Sequence, residues 1–137
     1  MIFILSGTEN VNINKKFDTF VYGLKVNYNL KDDDIIIYKW PEKFMAHHPK
    51  TLYDKMKNFI NEAIELNKHV IIMTYSDIVL NAIRVCIKKH QYNQRNCVYQ
   101  YTDNEHFTIS NINKDGCLDI WIDGIFDIWD NALTELL

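Results

Sequence analysis

Glycine and proline are scarce in this 137-residue chain, at four and two. The glycines, Gly7, Gly23, Gly116 and Gly124, stand far apart, so they assemble neither a GxxxxGK[ST] loop nor a GxGxxG turn that would cradle a phosphate. Arginine is nearly missing, since Arg84 and Arg95 alone stand among the 15 basic residues that are otherwise lysine. Against 18 acidic residues the formal net charge is -3, which gives neither a basic footprint for nucleic acid nor an acidic tail. Long hydrophobic runs are missing too. Residues 1–5 are apolar, but no basic stretch precedes them and Ser6-Gly7-Thr8-Glu9 follows, so they are too short for a signal peptide or a membrane span. A cytoplasmic protein is expected. Cys86, Cys97 and Cys117 form no CxxC pair and no ligand set with histidine, and read as reduced, mostly buried thiols.

Apolar side chains are plentiful, at 47% of residues with 24% charged. That supplies the core of one domain over residues 1–137 and leaves too little length for two. The frequent Ile, Asn and Lys suit an AT-rich genome, bacterial or viral. No repeat, linker or low-complexity segment divides the chain.

Residues 2–5 predict a buried strand closed by Ser6-Gly7. Phe17, Phe20, Val21 and Leu24 fall on one helical face that ends near Lys25. The continuous run at 35–38 predicts a strand buried on both faces, stopped by Trp40-Pro41. Residues 51–67 carry a single apolar stripe through Leu52, Met56, Phe59, Ile60, Ala63 and Ile64, which predicts a helix. A second buried strand follows at 70–73, then a helix at 77–90 with Asp77 as a cap. Strand, helix, strand, helix in this order makes a parallel α/β unit with right-handed crossovers. Half-buried strands are expected at 98–101 and 107–112, a turn at Lys114-Asp115-Gly116, a further alternating strand at 118–121 and a helix at 127–137.

Few side chains carry chemistry by themselves. Ser6-Gly7-Thr8 has no lysine to reach a phosphate and reads as a turn. His47 and His48 are adjacent, so their side chains diverge and do not chelate one metal. Ser76 sits between a strand and a helix, but Tyr75 and Asp77 replace the glycines of a nucleophile elbow, and a helix cap is the plainer role. Asp32, Asp33 and Asp34 read as a solvated turn. No catalytic centre, metal or cofactor is expected. Trp121, Phe126 and Trp129 gather around Gly124 near Asp123, and such aromatics act either as a small core or as partner anchors. Trp121 and Phe126 are expected in the core and Trp129 at a contact.

The segment from Val70 through Thr74-Tyr75-Ser76-Asp77 to Leu80-Asn81 and Arg84 resembles the switch region of ABC-type ATPases of the SMC and OLD-nuclease kind, where a strand ends in Thr-His-Ser. Residues 35–42, ending Lys39-Trp40-Pro41-Glu42, and His48-Pro49 resemble the Walker B strand with its Asp-Glu-Pro-Glu and Leu-His-Pro continuation. Gly116 to Asp127 resembles a family ending in which a hairpin leads to Trp-Pro-(Asp/Glu)-Gly-Phe-Phe-Asp. The likeness covers roughly residues 34–130, the C-terminal lobe, and the first thirty residues hold no counterpart of the Walker A loop or the Leu-Ser-Gly-Gly signature.

That resemblance implies half of a P-loop ATPase-like domain: a partial parallel sheet flanked by helices, with a C-terminal β-hairpin and a short helix. It also implies a vestigial nucleotide site. Lys39 and Trp40 stand where the family holds its magnesium and its base, Tyr75 stands where it has the switch histidine, and Glu42, Thr74, Ser76 and Asp77 surround them. Magnesium requires hard oxygen ligands that Lys39 and Trp40 do not offer. The expectation is a non-enzymatic regulatory or inhibitory protein of phage or mobile-element origin that binds an ATPase or a defence complex, with Trp121, Asp123, Gly124, Phe126 and Trp129 as the partner surface. The alternatives are one half of a split ATPase completed in trans, and a nucleic-acid module using Lys15-Lys16, Lys55, Lys57 and Lys88-Lys89. The acids among those lysines make nucleic acid the least expected partner.

Overall fold

Ile2, Phe3, Ile4 and Leu5 are almost wholly buried in β1 (Ile2–Gly7) of the computed structural model. The structure describes residues 1–7, 13–39, 48–93, 97–102, 106–120 and 128–137, with backbone alone at 13, 14 and 128–131. After β1 come α1 (Ile13–Tyr28), one 3-10 turn (Asp32–Asp34), β2 (Ile35–Lys39), α2 (Pro49–Glu65) and β3 (His69–Met73). Then follow α3 (Asp77–His90), β4 (Cys97–Thr102), β5 (Phe107–Asn111) and α4 (Ile128–Leu136).

The strands form one sheet in the order β2-β3-β1-β4-β5. β1 runs parallel to β3 and β4, β2 runs parallel to β3, and β5 closes the far edge antiparallel to β4. This is the α/β architecture expected from the sequence. The connection from β1 to β2 runs one way along the sheet and the next two run the other way. Right-handed crossovers therefore put α1 on one face and α2 with α3 on the other. Alternation along each strand matches that division. Ile4, Val70, Ile72 and Tyr99 pack with Met56, Ile60 and Ile83 of α2 and α3, while Phe3, Leu5, Ile71 and Met73 pack with Phe17 and Val21 of α1.

Local chemistry sets the ends of the helices. Pro49 opens α2, where its missing N–H is no loss, and the His48 imidazole accepts the Lys50 N–H at 3.3 Å. α3 stops at Gln91, which adopts a left-handed conformation at φ 50°, and the Tyr92 N–H returns to the Ile87 carbonyl at 3.0 Å. Gly116 is irreplaceable for two reasons: its φ is +78°, and a Cβ there would lie 2.6 Å from the Arg84 carbonyl oxygen. Arg84 Nε donates to the Gly116 carbonyl at 2.6 Å, which ties the predicted turn to α3. Beside it, the Asp119 carboxylate accepts from Ser110 Oγ and from the Asn111 backbone N–H, each at 2.8 Å. Partial desolvation pushes this carboxyl up, but the hydrogen bonds from Ser110 and Asn111 outweigh it and hold its pKa below the usual carboxylate value.

Three expectations are corrected. β2 is not buried on both faces: β3 inserts between it and β1, leaving β2 at the sheet edge with Ile37 48% exposed. Residues 118–120 do not form a strand, because Leu118 makes only a single bridge to Ile112 and Asp119 turns back onto Asn111. Ser76, rather than Asp77, is the N-cap of α3. Among the described residues no helix is long and apolar enough to cross a membrane.

These contacts give two expected outcomes. In urea unfolding, Ile4→Ala should lower stability by about 2–5 kcal/mol, whereas Lys55→Ala on exposed α2 surface should stay within about 0.5 kcal/mol. The lowered pKa of Asp119 gives stability that is present above the ordinary carboxylate pKa and lost as pH falls through the folded value. Asp119→Asn should therefore differ from wild type most above about pH 4 and converge with it in stronger acid, as read from urea midpoints at stepped pH.

Candidate functional site

In an open parallel sheet, ligands bind beyond the carboxyl ends of the strands, where successive connections leave in opposite directions. Here that place lies between β1 and β3, since the chain leaves β1 toward β2 and leaves β3 toward β4. The register sets Leu5, Met73 and Lys39 level with one another, and the Thr74 N–H extends the ladder to the Leu5 carbonyl at 3.0 Å. Ser6, Gly7 and Thr74-Tyr75-Ser76-Asp77 thus share one edge. The structure brings the four switch-like residues together there and places Lys39 one strand away.

Each of these groups has local work. Thr74 is buried, and its hydroxyl accepts the Ser76 N–H at 3.0 Å. Ser76 Oγ accepts the Val79 N–H at 3.4 Å, and Asp77 Oδ1 accepts the Ile78 N–H at 2.8 Å. Two of the donors that open α3 are thereby met by the chain's own side chains. A carboxylate also sits at the positive end of the helix dipole, where it repels a second anion. Tyr75 is 45% exposed. Lys39 projects to the α1 side, its ammonium over the Phe17 ring at 5.8 Å, while Thr74 alternates to the opposite side with Val70 and Ile72. The lysine and the α3 cap therefore do not converge on one point.

Trp40 and Glu42 of this set lie outside the described residues, as do Trp121, Asp123, Gly124 and Phe126 of the aromatic segment. The expectation that Trp121 and Phe126 belong to the core falls there too. Trp129 is placed by its backbone on α4, whose Leu133 and Leu136 are 60% and 83% exposed. The described part of the structure contains no group of three His, Cys, Asp or Glu side chains able to hold a metal. Two open grooves, of about 640 and 310 Å³, lie on the α1 face, the larger against β4 and β5 and the smaller against β2.

Sequence reasoning missed two hydroxyls on β4. Tyr99 is fully buried, and desolvation pushes its pKa up to about 12. The Ser6 hydroxyl is near enough to oppose that rise but stands outside good hydrogen-bonding geometry. Thr102, beside Gly7 in the register, is also buried with its hydroxyl unmet. An alternating strand gave no signal of either, because burial at β4 comes from β1 and α3, distant in sequence. Burial also raises the Cys86 and Cys97 thiol pKa values, while Cys117 is exposed.

Comparison of the chain with protein-family models, with curated proteins and with solved structures found no match.

Ser76→Ala should cost about 1 kcal/mol through the lost cap, whereas Tyr99→Phe should be neutral or stabilising by up to about 1 kcal/mol, since it deletes an unmet hydroxyl. Thermal melts of the two variants check both signs. In the folded protein a maleimide should label Cys117 alone, with Cys86 and Cys97 reacting only in denaturant, as mass spectrometry of digests would read.

Proposed function

We propose that this chain is a non-enzymatic regulatory or inhibitory protein, a mimic of an ATPase lobe that binds an ATPase or an ATPase-containing defence complex. A product of a phage or mobile element acting in the host cytoplasm fits that role. The observation that carries the reading is the start of α3, where Ser76 and Asp77 take up donors that a phosphate would need. An anion arriving there meets a carboxylate and finds Lys39 turned toward Phe17. Phosphoryl transfer needs a phosphate cradle, a metal-holding carboxylate and a group that positions water. The resemblance sets Lys39, Trp40 and Tyr75 at those last two places, and their chemistry supplies neither.

A lobe without turnover acts through its surface. Exposed Leu133 and Leu136 on α4 follow the Trp-rich segment that ends in Trp129 and extend it with apolar surface, the tryptophans being the residue type that dominates interfaces.

The test joins binding with turnover. Purified chain should hydrolyse no Mg·ATP, should capture an ATPase complex from its host, and should change that complex's turnover when added back. Leu136→Asp should weaken capture by about tenfold or more with an unchanged melting temperature. Turnover by the chain alone that disappears in Glu42→Gln contradicts the proposal. Turnover that arises only with a second, Walker A-bearing chain favours the split ATPase, and DNA binding that persists at physiological salt favours the nucleic-acid module.

A further inference from the structure

β2 is an edge strand whose outer side has no strand neighbour among the described residues. Edge strands are ordinarily blunted by proline, by charges within the strand or by a covering element, because their free N–H and C=O groups template pairing with another chain. β2 reads Ile-Ile-Ile-Tyr-Lys, with its one charge at the end. Its neighbourhood presents apolar surface rimmed by charge. Ile37 is 48% exposed, Tyr22 and Val26 on α1 are 71% and 61% exposed, and a groove of about 310 Å³ lined by Phe17, Val21, Tyr22 and Ile37 with the charged Asp18, Lys25 and Lys39 runs between helix and strand.

We propose that β2 pairs antiparallel with β2 of a second copy of this chain, about a two-fold axis at Ile37, joining two sheets into one of ten strands. Charge along the segment is what selects a second copy over another occupant. Lys31 and Asp32–Asp34 immediately precede the strand, with Asp32 paired to Lys25 at 2.7 Å, and Lys39 ends it, so the segment keeps net acid at one end and a base at the other. Turned antiparallel against itself, it is complementary. Centred on Ile37, all five residues find partners: Ile35 lies opposite the partner's Lys39, and the acidic turn Asp32–Asp34 lies at the same end of the ladder as that lysine. Parallel self-pairing would instead place like charges together, which destabilises a ladder.

The two-fold axis is perpendicular to the joined sheet, so opposed residues point to the same face. Ile37 and the partner's Ile37 then meet on the α1 face, between two copies of the groove. Tyr22 and Val26 stand four apart on one side of α1 and supply the apolar surface that flanks them. The contact is isologous and closes at a dimer rather than growing into a fibre. This inference concerns the outer side of β2, and it stands whether or not the regulatory reading does.

Light scattering on the full chain, at concentrations up to about 100 μM, a hundredfold above a micromolar Kd, should give a mass twice that of one chain. Ile37→Lys should raise the dissociation constant by about tenfold or more, with an unchanged melting temperature at concentrations where both proteins are monomeric, because Ile37 is half exposed in the single chain. Lys39→Glu should weaken the dimer, and Lys39→Glu combined with Asp34→Lys should restore it, a rescue available even if Ile37→Lys fails to fold. A monomer at every concentration overturns the proposal. So does a dimer that both Ile37→Lys and Lys39→Glu leave intact, since that dimer uses another face.

Discussion

The pairing of β1 on both sides, with β3 and with β4, is the constraint on which the rest of the molecule depends. Phe3 and Leu5 face one layer of helix while Ile2 and Ile4 face the other, so one short strand anchors both cores. Parallel neighbours require long crossovers, which is why the helices exist in the number and on the sides observed. Loss of β1 would part β3 from β4 and strip α1 of its Phe3 and Leu5 contacts.

The same pairing sets what the carboxyl edge offers. It holds Ser6, Gly7 and Thr74 in adjacent rows and launches α3 directly from the edge. Such an edge is a natural anion site when the helix begins with free N–H groups. In this chain Ser76 and Asp77 meet two of those donors locally, and the nearby lysine belongs to the opposite face. Local capping chemistry therefore bears on function as well as on stability. The proposed regulatory reading rests on that, together with the exposed leucines of α4.

Much of the architecture was legible because apolar periodicity reports directly on burial. The runs at 2–5 and 70–73 and the stripe from Leu52 to Ile64 each mark an element found in the structure. The edge position of β2 was not legible, since an unbroken apolar run says nothing about strand order, which is decided by β3 inserting beside β1. Leu118 alternates with its neighbours as a strand would, but after the Asp119 N–H reaches the Asn111 carbonyl the next donor, the Ile120 N–H, goes to the Ser110 side chain and the pairing stops. At the candidate site, residue types pointed to Thr74 through Asp77. The direction of Lys39 and the buried hydroxyls of Tyr99 and Thr102 follow from alternation and register, which appear only when strands are placed side by side.

The claim that the carboxyl edge is occupied by the protein's own polar groups is open to a direct measurement, a titration with Mg·ATP followed by amide chemical shifts of the full chain. With nucleotide raised to about 1 mM, a level that would populate even a site worth only about 4 kcal/mol, the account predicts unmoved resonances for Gly7 and for Thr74 through Val79. Saturable shifts concentrated at those amides would contradict it, showing that a phosphate displaces Ser76 and Asp77 from the start of α3.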